Sequence, residues 1–391
     1  IEPEDWICGR FIQITVRDHA GPVHLDVAIR GEAYPLRRRL ELTTSDPVLD
    51  RIVAISLNAV ERCMHDNIMD CPWRERRQWI GDVQRIALVS HLAHGDRALI
   101  RAVLKQHVRL QDPSGRMWIC VPLWEEYPTQ NMEWLRAVLD YQEATGDTTL
   151  LDEVAPNAEA LHRWFRSQIR DGLLHITADN VMNWMDNPLS RLRQHQFRTP
   201  FLAINLRYLR FLDDLVPIFR RLGRDPAVLG QERNALRQTI AIRFRDPGTG
   251  LLRDCADADL PLTLSEMGQA LAVCTGLADA ADWDRFTAWR ITAGAAAIPA
   301  SPFGKHHVHE ALAMLGRPEA IIADLREHWG PMAAADADTT WEGFDGKASH
   351  CHGWAGIPVH SLCTLILGLG PHPGSAQRTI AGLDLRATIR A

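Results

Sequence analysis

Between Asp70 and Asp82 the chain reads Asp-Cys-Pro-Trp-Arg-Glu-Arg-Arg-Gln-Trp-Ile-Gly-Asp, which holds three carboxylates, three arginines and two tryptophans. A solvated charge run has no use for two indoles. A core segment would not carry so many ions, because each buried charge needs a partner. Acids, cations and large flat rings together are the materials of a polar pocket with a stacking wall. Pro72 cannot continue a helix and pushes Cys71 toward extended geometry, so Asp70 to Trp73 is expected as a loop. Gly81 and Asp82 then read as the turn and N-cap of the next helix.

The run Asp70-Cys71-Pro72-Trp73-Arg74-Glu75-Arg76, followed by Trp79-Ile80-Gly81-Asp82, resembles the active-site signature of bacterial α-L-rhamnosidases of the six-hairpin glycosidase class. That family usually has Gln at the place of Trp73, and Leu-Gly at the place of Arg77-Gln78. Glycosidic hydrolysis generally uses two carboxyl groups, one protonating the departing oxygen and one activating water or attacking the anomeric carbon. The resemblance implies Glu75 as general acid, in a charged setting of Arg74, Arg76 and Asp82 able to tune it. A competing reading pairs Glu75 merely with an arginine beside a helix start.

The resemblance also implies a distant base. Thr339-Thr340-Trp341-Glu342-Gly343-Phe344 is similar to the family's base-bearing segment, which makes Glu342 the base, against the plain reading of a surface acid. Ser349-His350-Cys351-His352-Gly353-Trp354 resembles the family's closing signature. The family inverts configuration, so a separation of about 6.5–9.5 Å is expected between Glu75 and Glu342, against roughly 5–5.5 Å for a retaining pair. Asp70, Asp82 and Arg74 are expected as sugar ligands, with Asp82 also open to a simple capping role. Trp79 and Trp341 are candidate subsite walls, and Trp184 and Trp124 are further ones. Asn183 stands where the family tends to have an acid before Trp184. His352, or His350, is a candidate for a sugar hydroxyl.

These residues need elements to hold them. From Asp46 to about Leu369 the apolar periodicity is helical, in about twelve helices. Tight Gly joints such as Gly146-Asp147 and Gly316-Arg317 alternate with long connections at 67–82, 111–128, 171–199, 246–264 and 331–352. The long ones hold most of the Trp, His and acidic residues. The expected fold is all-α, an (α/α)6 barrel over 43–370 with the long loops gathered at one end. Residues 1–42 are expected as a short β appendage with strands near 11–16 and 23–29, and 371–391 as a β tail, both similar to pieces of the family's flanking β domains.

Composition sets the remaining bounds. A hydrophobic share of 46% excludes disorder, and a net charge of −6 gives no reason to expect nucleic acid or an anionic membrane as partner. Thirteen tryptophans against four tyrosines suit sugar stacking as well as a large core. The eight cysteines are dispersed without a CxxC pair, which points to free thiols and leans toward a reducing, cytoplasmic setting. No signal peptide or membrane span is visible, although a start at Ile1 leaves a removed leader open. His306, His307, His309 and Glu310 lack a metalloprotease pattern, so no metal and no cofactor is expected.

The expected partner is a rhamnosyl glycoside or oligosaccharide, and the oligomeric state stays open, a homodimer included. The alternatives are an exo-glycosidase of other sugar preference, a phosphorylase (disfavoured by Glu342), and a sugar-binding protein without catalysis.

Overall fold

The computed structural model describes residues 6–9, 11–118, 120–121, 127–177, 183–335, 337–370, 375–380 and 383–389. Eleven long helices appear in order among them: α1 (Pro47–Arg62), α2 (Ile80–Ala93), α3 (Ala98–Val108), α4 (Asn131–Thr145), α5 (Thr149–Ser167), α6 (Leu202–Arg221), α7 (Ala227–Arg243), α8 (Glu266–Cys274), α9 (Ala280–Arg290), α10 (Pro302–Met314) and α11 (Pro318–Ala334). A twelfth element is composite. Gly353–Gly356 winds as a 3₁₀ turn, α12 (Pro358–His360) is brief, and Ser361–Ile366 widens into a π-helix.

The even-numbered helices form a ring. α2 packs on α4, α4 on α6, α6 on α8, α8 on α10, α10 on the composite element, and that element returns to α2. The odd-numbered helices lie outside, so the chain is six helical hairpins closed into a toroid. Burial separates the two rings. Twelve of the fourteen residues of α2 are buried, whereas only Leu229, Leu236 and Ile240 are buried in α7. A helix apolar all round belongs inside, and one with a narrow stripe belongs on a surface.

The two ends of the toroid differ. Inner helices run out into short joints, such as Gly146 after α4 and Gly316 after α10, whose φ values of 72° and 69° need a residue without Cβ. Outer helices return to inner ones through the long connections, which therefore meet at the N-terminal ends of the inner ring. Small sheets brace them, Gln78–Trp79 with Cys120–Val121 and Leu264–Ser265 with Ala297–Ile298.

Outside the barrel, Leu40–Thr44 pairs antiparallel with Leu383–Ile389, which pairs in turn with Ser375–Ile380. The β tail thus docks on a strand that straddles the expected boundary at residue 42. The strands expected at 11–16 and 23–29 are not formed, and Phe11, Ile12, Leu25 and Ile29 stand exposed. Alternation encodes a one-faced strand, and such a strand is marginal without neighbours and a layer to cover it. All eight cysteines are free thiols. Among the described residues no helix is long and apolar enough to cross a membrane.

Candidate active site

The loop that enters α2 is closed on itself. Asp70 N–H donates to Arg77 O at 2.9 Å, Arg77 N–H donates back to Asp70 Oδ1 at 2.9 Å, and the Cys71 thiol donates to Asp70 Oδ2 at 2.9 Å. Burial pushes that thiol up to about 11, which keeps it a donor. Arg76 makes the turn possible with a left-handed φ of 56°, a conformation that costs an L-residue about 1–2 kcal/mol. Its guanidinium is anchored 3.9 Å over the Trp6 ring. Asp70, expected as a sugar ligand, is 1% exposed and has each oxygen engaged inside the loop, so its first task is to clasp it.

This clasp presents Glu75. Glu75 Oε2 accepts from Trp79 Nε1 at 2.9 Å, and Oε1 accepts from Arg74 Nη2 at 2.9 Å. Trp79 is itself fixed by stacking on Tyr127, with centroids 5.3 Å apart and planes within 8°. Arg74 Nη2 also donates to Glu342 Oε2 at 2.6 Å, across 268 positions of sequence. Both glutamates therefore converge on one guanidinium nitrogen. The two oxygens that share it lie at most about 5.5 Å apart, the two bonds laid end to end.

Glu342 sits on a tight loop. Its N–H donates to Ser349 O at 2.8 Å, Ser349 N–H donates to Glu342 Oε2 at 3.2 Å, and Trp354 Nε1 donates to Glu342 O at 3.1 Å. His352 joins this loop to α2. Its Nε2 is 3.0 Å from Asp82 Oδ1, and its Nδ1 is 3.6 Å from Glu342 Oε2. Both partners are almost fully buried. Burial raises Asp82 to about 6, against the lowering effect of the His352 bond. Burial would lower His352, but the carboxylates of Asp82, Asp70 and Glu342 outweigh it and hold the imidazole above its ordinary value.

Asp82 is not an N-cap. α2 starts two residues earlier, at Ile80, and Asp82 falls in its first turn. Gly81 does not break the helix, because it is there for close packing; a Cβ would meet Gln130 and Phe303 at 3.2 Å. In the first turn the carboxylate still benefits from the helix's positive end.

An aromatic floor packs against His352. Trp184, Phe303 and Trp354 pack together, with Trp184 and Trp354 stacked at 6.0 Å and Trp354 lying 4.2 Å from His352. Phe303 and Trp354 were not among the expected site residues, although Trp354 lies two positions past His352 at a helix start. Asn183 is turned into the scaffold, where Nδ2 donates to Ile176 O at 2.8 Å. Trp341 has one face covered by His350 at 4.7 Å. Trp124, Glu125 and Glu126 lie outside the described residues.

Below the floor an ionic network fills the barrel axis. Arg85 lies 4.0 Å over the Phe303 ring and donates to Glu133 at 2.7 Å. Burial would raise Glu133, but Arg85 and Arg207 hold it well below the usual carboxylate range. Further along, a cavity of about 240 Å³ is lined by residues including His306, His307, Glu310, Arg210 and Asp214, while Glu75 and Glu342 do not line it. His306, His307 and Glu310 converge, and arginines engage His307 and Glu310, while His306 Nδ1 is buried without a hydrogen-bond partner. His307 Nε2 faces Arg85 at 3.1 Å, and Glu310 takes a two-pronged pair from Arg210 at 2.8 and 2.9 Å. A metal ion would have to displace both arginines.

Comparison with known proteins places this geometry. Residues 37–365 match the family described as the bacterial alpha-L-rhamnosidase 6 hairpin glycosidase domain. No curated protein matches the sequence. Among solved structures, the chain is similar to the GH78 family rhamnosidase of Bacillus sp. GL1, with 24% identity and a TM-score of 0.75 over 86% of this chain and 36% of that one. It is also similar to the rhamnosidase from Klebsiella oxytoca with rhamnose bound, at 20% identity and a TM-score of 0.71 over 87% and 66%. The GH63 mannosylglycerate hydrolase from Thermus thermophilus shares the fold at 14% identity and a TM-score of 0.57, over 78% and 98%. The chain thus spans 36% of the Bacillus enzyme's length and 66% of the Klebsiella enzyme's. With the family model covering most of its length, and the six helical hairpins closed into a ring as described, the chain belongs to the bacterial α-L-rhamnosidase six-hairpin glycosidase family.

Proposed function

We propose that the protein is a glycoside hydrolase that removes a terminal α-L-rhamnose, or a similar deoxysugar, with inversion of configuration. The observation that carries the reading is the convergence of Glu75 and Glu342 on Arg74 from opposite ends of the sequence. Rhamnose bound in the Klebsiella oxytoca structure supports the sugar class.

In this reading Glu75 donates its proton to the glycosidic oxygen as the bond to the anomeric carbon breaks. Glu342 takes a proton from a water that attacks the opposite face of the same carbon. Trp79 and Arg74 orient the acid. Ser349 and His352 orient the base. The aromatic floor, with Trp184 at its edge, excludes water beneath the sugar, and Asp82 and His352 offer polar atoms to its hydroxyls. Asp70 acts through the loop it closes. Arg74 releases at least one carboxylate as sugar and water enter between the two.

The bridging guanidinium also favours a second reading, a sugar-binding module in which the gap stays shut. The test is hydrolysis of a panel of aryl glycosides, with the product anomer followed by NMR. Glu75→Gln and Glu342→Gln should each cut kcat about 10²–10⁴-fold, the usual contribution of one positioned acid or base. Initial formation of the β-anomer from an α-linked substrate supports inversion. Turnover that survives both substitutions overturns the assignment, and sugar binding without turnover favours the module.

A further inference from the structure

The inner ring encloses a second compartment besides the Glu75–Glu342 site. Its cavity of about 240 Å³ takes side chains from α2, α4, α6, α10 and the composite element, five of the six inner-ring elements. On α4 the lining residues Glu133, Arg136, Asp140 and Glu143 form one stripe, about 15 Å long at 1.5 Å per residue. Phe303 belongs to the aromatic floor and carries Arg207, a lining residue, 5.3 Å over its ring, so this lumen starts directly behind the floor. At its other end Glu143, whose side chain is 64% exposed, brings the lumen to the surface three residues before the Gly146 joint.

Three side chains around the lumen are buried with polar atoms left open. Arg207, His306 and His360 are 2%, 5% and 8% exposed. Among the described residues, Nε, Nη1 and Nη2 of Arg207, Nδ1 of His306 and Nδ1 of His360 make no hydrogen bond. Arg207 Nη2 comes within 3.3 Å of Glu133 Oε1 without the alignment of a bond. Buried polar atoms are costly to leave unpaired, so an exception marks a place where something outside the chain completes the bonding. Five such atoms, on three elements that line one cavity, ask for one partner that fills it.

The charges around the lumen decide what that partner is. Arg136 is answered by Asp140, Asp214 and Glu143, Arg210 by Glu310, and Glu133 by Arg85. A free cation would face three lining arginines, and a free anion would face five lining carboxyl groups. Burial lowers His306 and His360 and keeps both neutral, so each open Nδ1 can donate or accept. Arg207 only donates. Leu88, Met132 and Phe211 add apolar surface. A neutral molecule rich in hydroxyls suits this mixture, because each hydroxyl both donates and accepts while the carbon skeleton packs on the apolar side chains. The cavity has room for about eight waters, the scale of one sugar ring with its hydroxyls.

We propose that the barrel lumen is a second ligand site that takes one neutral polyhydroxylated molecule of monosaccharide size, held by Arg207, His306 and His360. The site lies outside the hydrolase reading and stands whether or not Glu75 and Glu342 cleave a glycoside.

The test follows Met132, which lines the lumen, through its carbon-13 methyl signal in the full chain. At least one of L-rhamnose and myo-inositol should shift that signal saturably, whereas sodium phosphate and tetramethylammonium chloride should not. Arg207→Met should weaken the response at least about 10-fold, the worth of a hydrogen bond from a charged donor. Leu88→Trp, which fills the lumen, should abolish it, and Glu75→Gln should leave it unchanged. A wild-type crystal soaked in the responding polyol should show it bonded to the three side chains, which decides the matter even where a lumen variant fails to fold. Ordered water alone in that crystal, no saturable response to either polyol, an equal response to phosphate, or loss of the response in Glu75→Gln overturns the site.

Discussion

Asp82 and His352, 270 positions apart, are joined by a 3.0 Å bond with both side chains 2% exposed. One belongs to the first turn of α2 and the other to the loop before Gly353, so the bond ties the hairpin that follows Glu75 to the segment that carries Glu342. A buried pair is costly to break from one side, because the remaining charge is stranded. Asp82→Ala should destabilise the protein by about 3–5 kcal/mol in urea unfolding. The double variant with His352→Ala should lose less than the two single losses added, since the residues are in direct contact. Additive losses would mean that the pair is not coupled.

Arg74 presents the opposite case. Its side chain is 48% exposed, so its bonds to Glu75 and Glu342 should contribute little to stability, about 0–1 kcal/mol. Arg74→Ala should leave the unfolding midpoint nearly unchanged and still lower kcat/KM on an aryl glycoside at least about 10-fold, because Glu75, the proposed acid, loses one of its two orienting donors. A large drop in stability with unaltered kinetics would contradict this division.

Gly353 allows no side chain. A Cβ there would stand 2.2 Å from Ile86 Cδ1 and 3.3 Å from Cys63 Cβ. Gly353→Ala should cost about 1–3 kcal/mol by overpacking and should depress activity by displacing the adjacent His352. Adding Ile86→Val or Ile86→Ala should recover part of both losses, and failure of either to help would locate the damage elsewhere.

Buried histidines should make part of the barrel's stability depend on pH. Burial lowers His91 to about 4 and His307 to about 4, and lowers His306 and His360 as well. His307 faces Arg85, Arg210, Glu133 and Glu310, and neither nitrogen of His91 has a hydrogen-bond partner. In the unfolded chain these rings titrate near 6.5. At these four rings the unfolded state binds more protons between about 6.5 and 4, so their contribution is full above 6.5 and declines as pH falls, while buried Asp82, Asp186 and Asp254, raised to about 6, and Asp214, raised to about 7, take up protons in the folded state and oppose it. In thermal melts from about pH 7 down to pH 4.5, His91→Phe should gain melting temperature relative to the wild type as the pH falls. A difference between the two that stays constant over the window would sink the explanation.

Most of the scaffold was legible because its periodicity is local. Apolar spacing marked all twelve helical segments, and Gly146 and Gly316 marked the tight end of the toroid. Glu75 and Glu342 could be named from their motifs, and the structure brings them together. What stayed hidden depends on contacts between distant residues. No spacing shows that Asp70 spends its oxygens on Arg77 and Cys71, or that Asn183 faces Ile176. Nor could it show that Gly81 sits inside a helix for the sake of Phe303. The alternation at 11–16 and 23–29 is present in the sequence but forms no strand there, because a pattern becomes a strand only when a neighbour accepts its hydrogen bonds.

Every long connection enters the inner ring at the same mouth, and the Gly joints close the other. Recognition and support are thereby uncoupled. Lengthening, trimming or exchanging a segment such as 171–199 alters what the cup greets, while the register of the helices is kept by turns on the far side. A family built this way can change its diet one loop at a time.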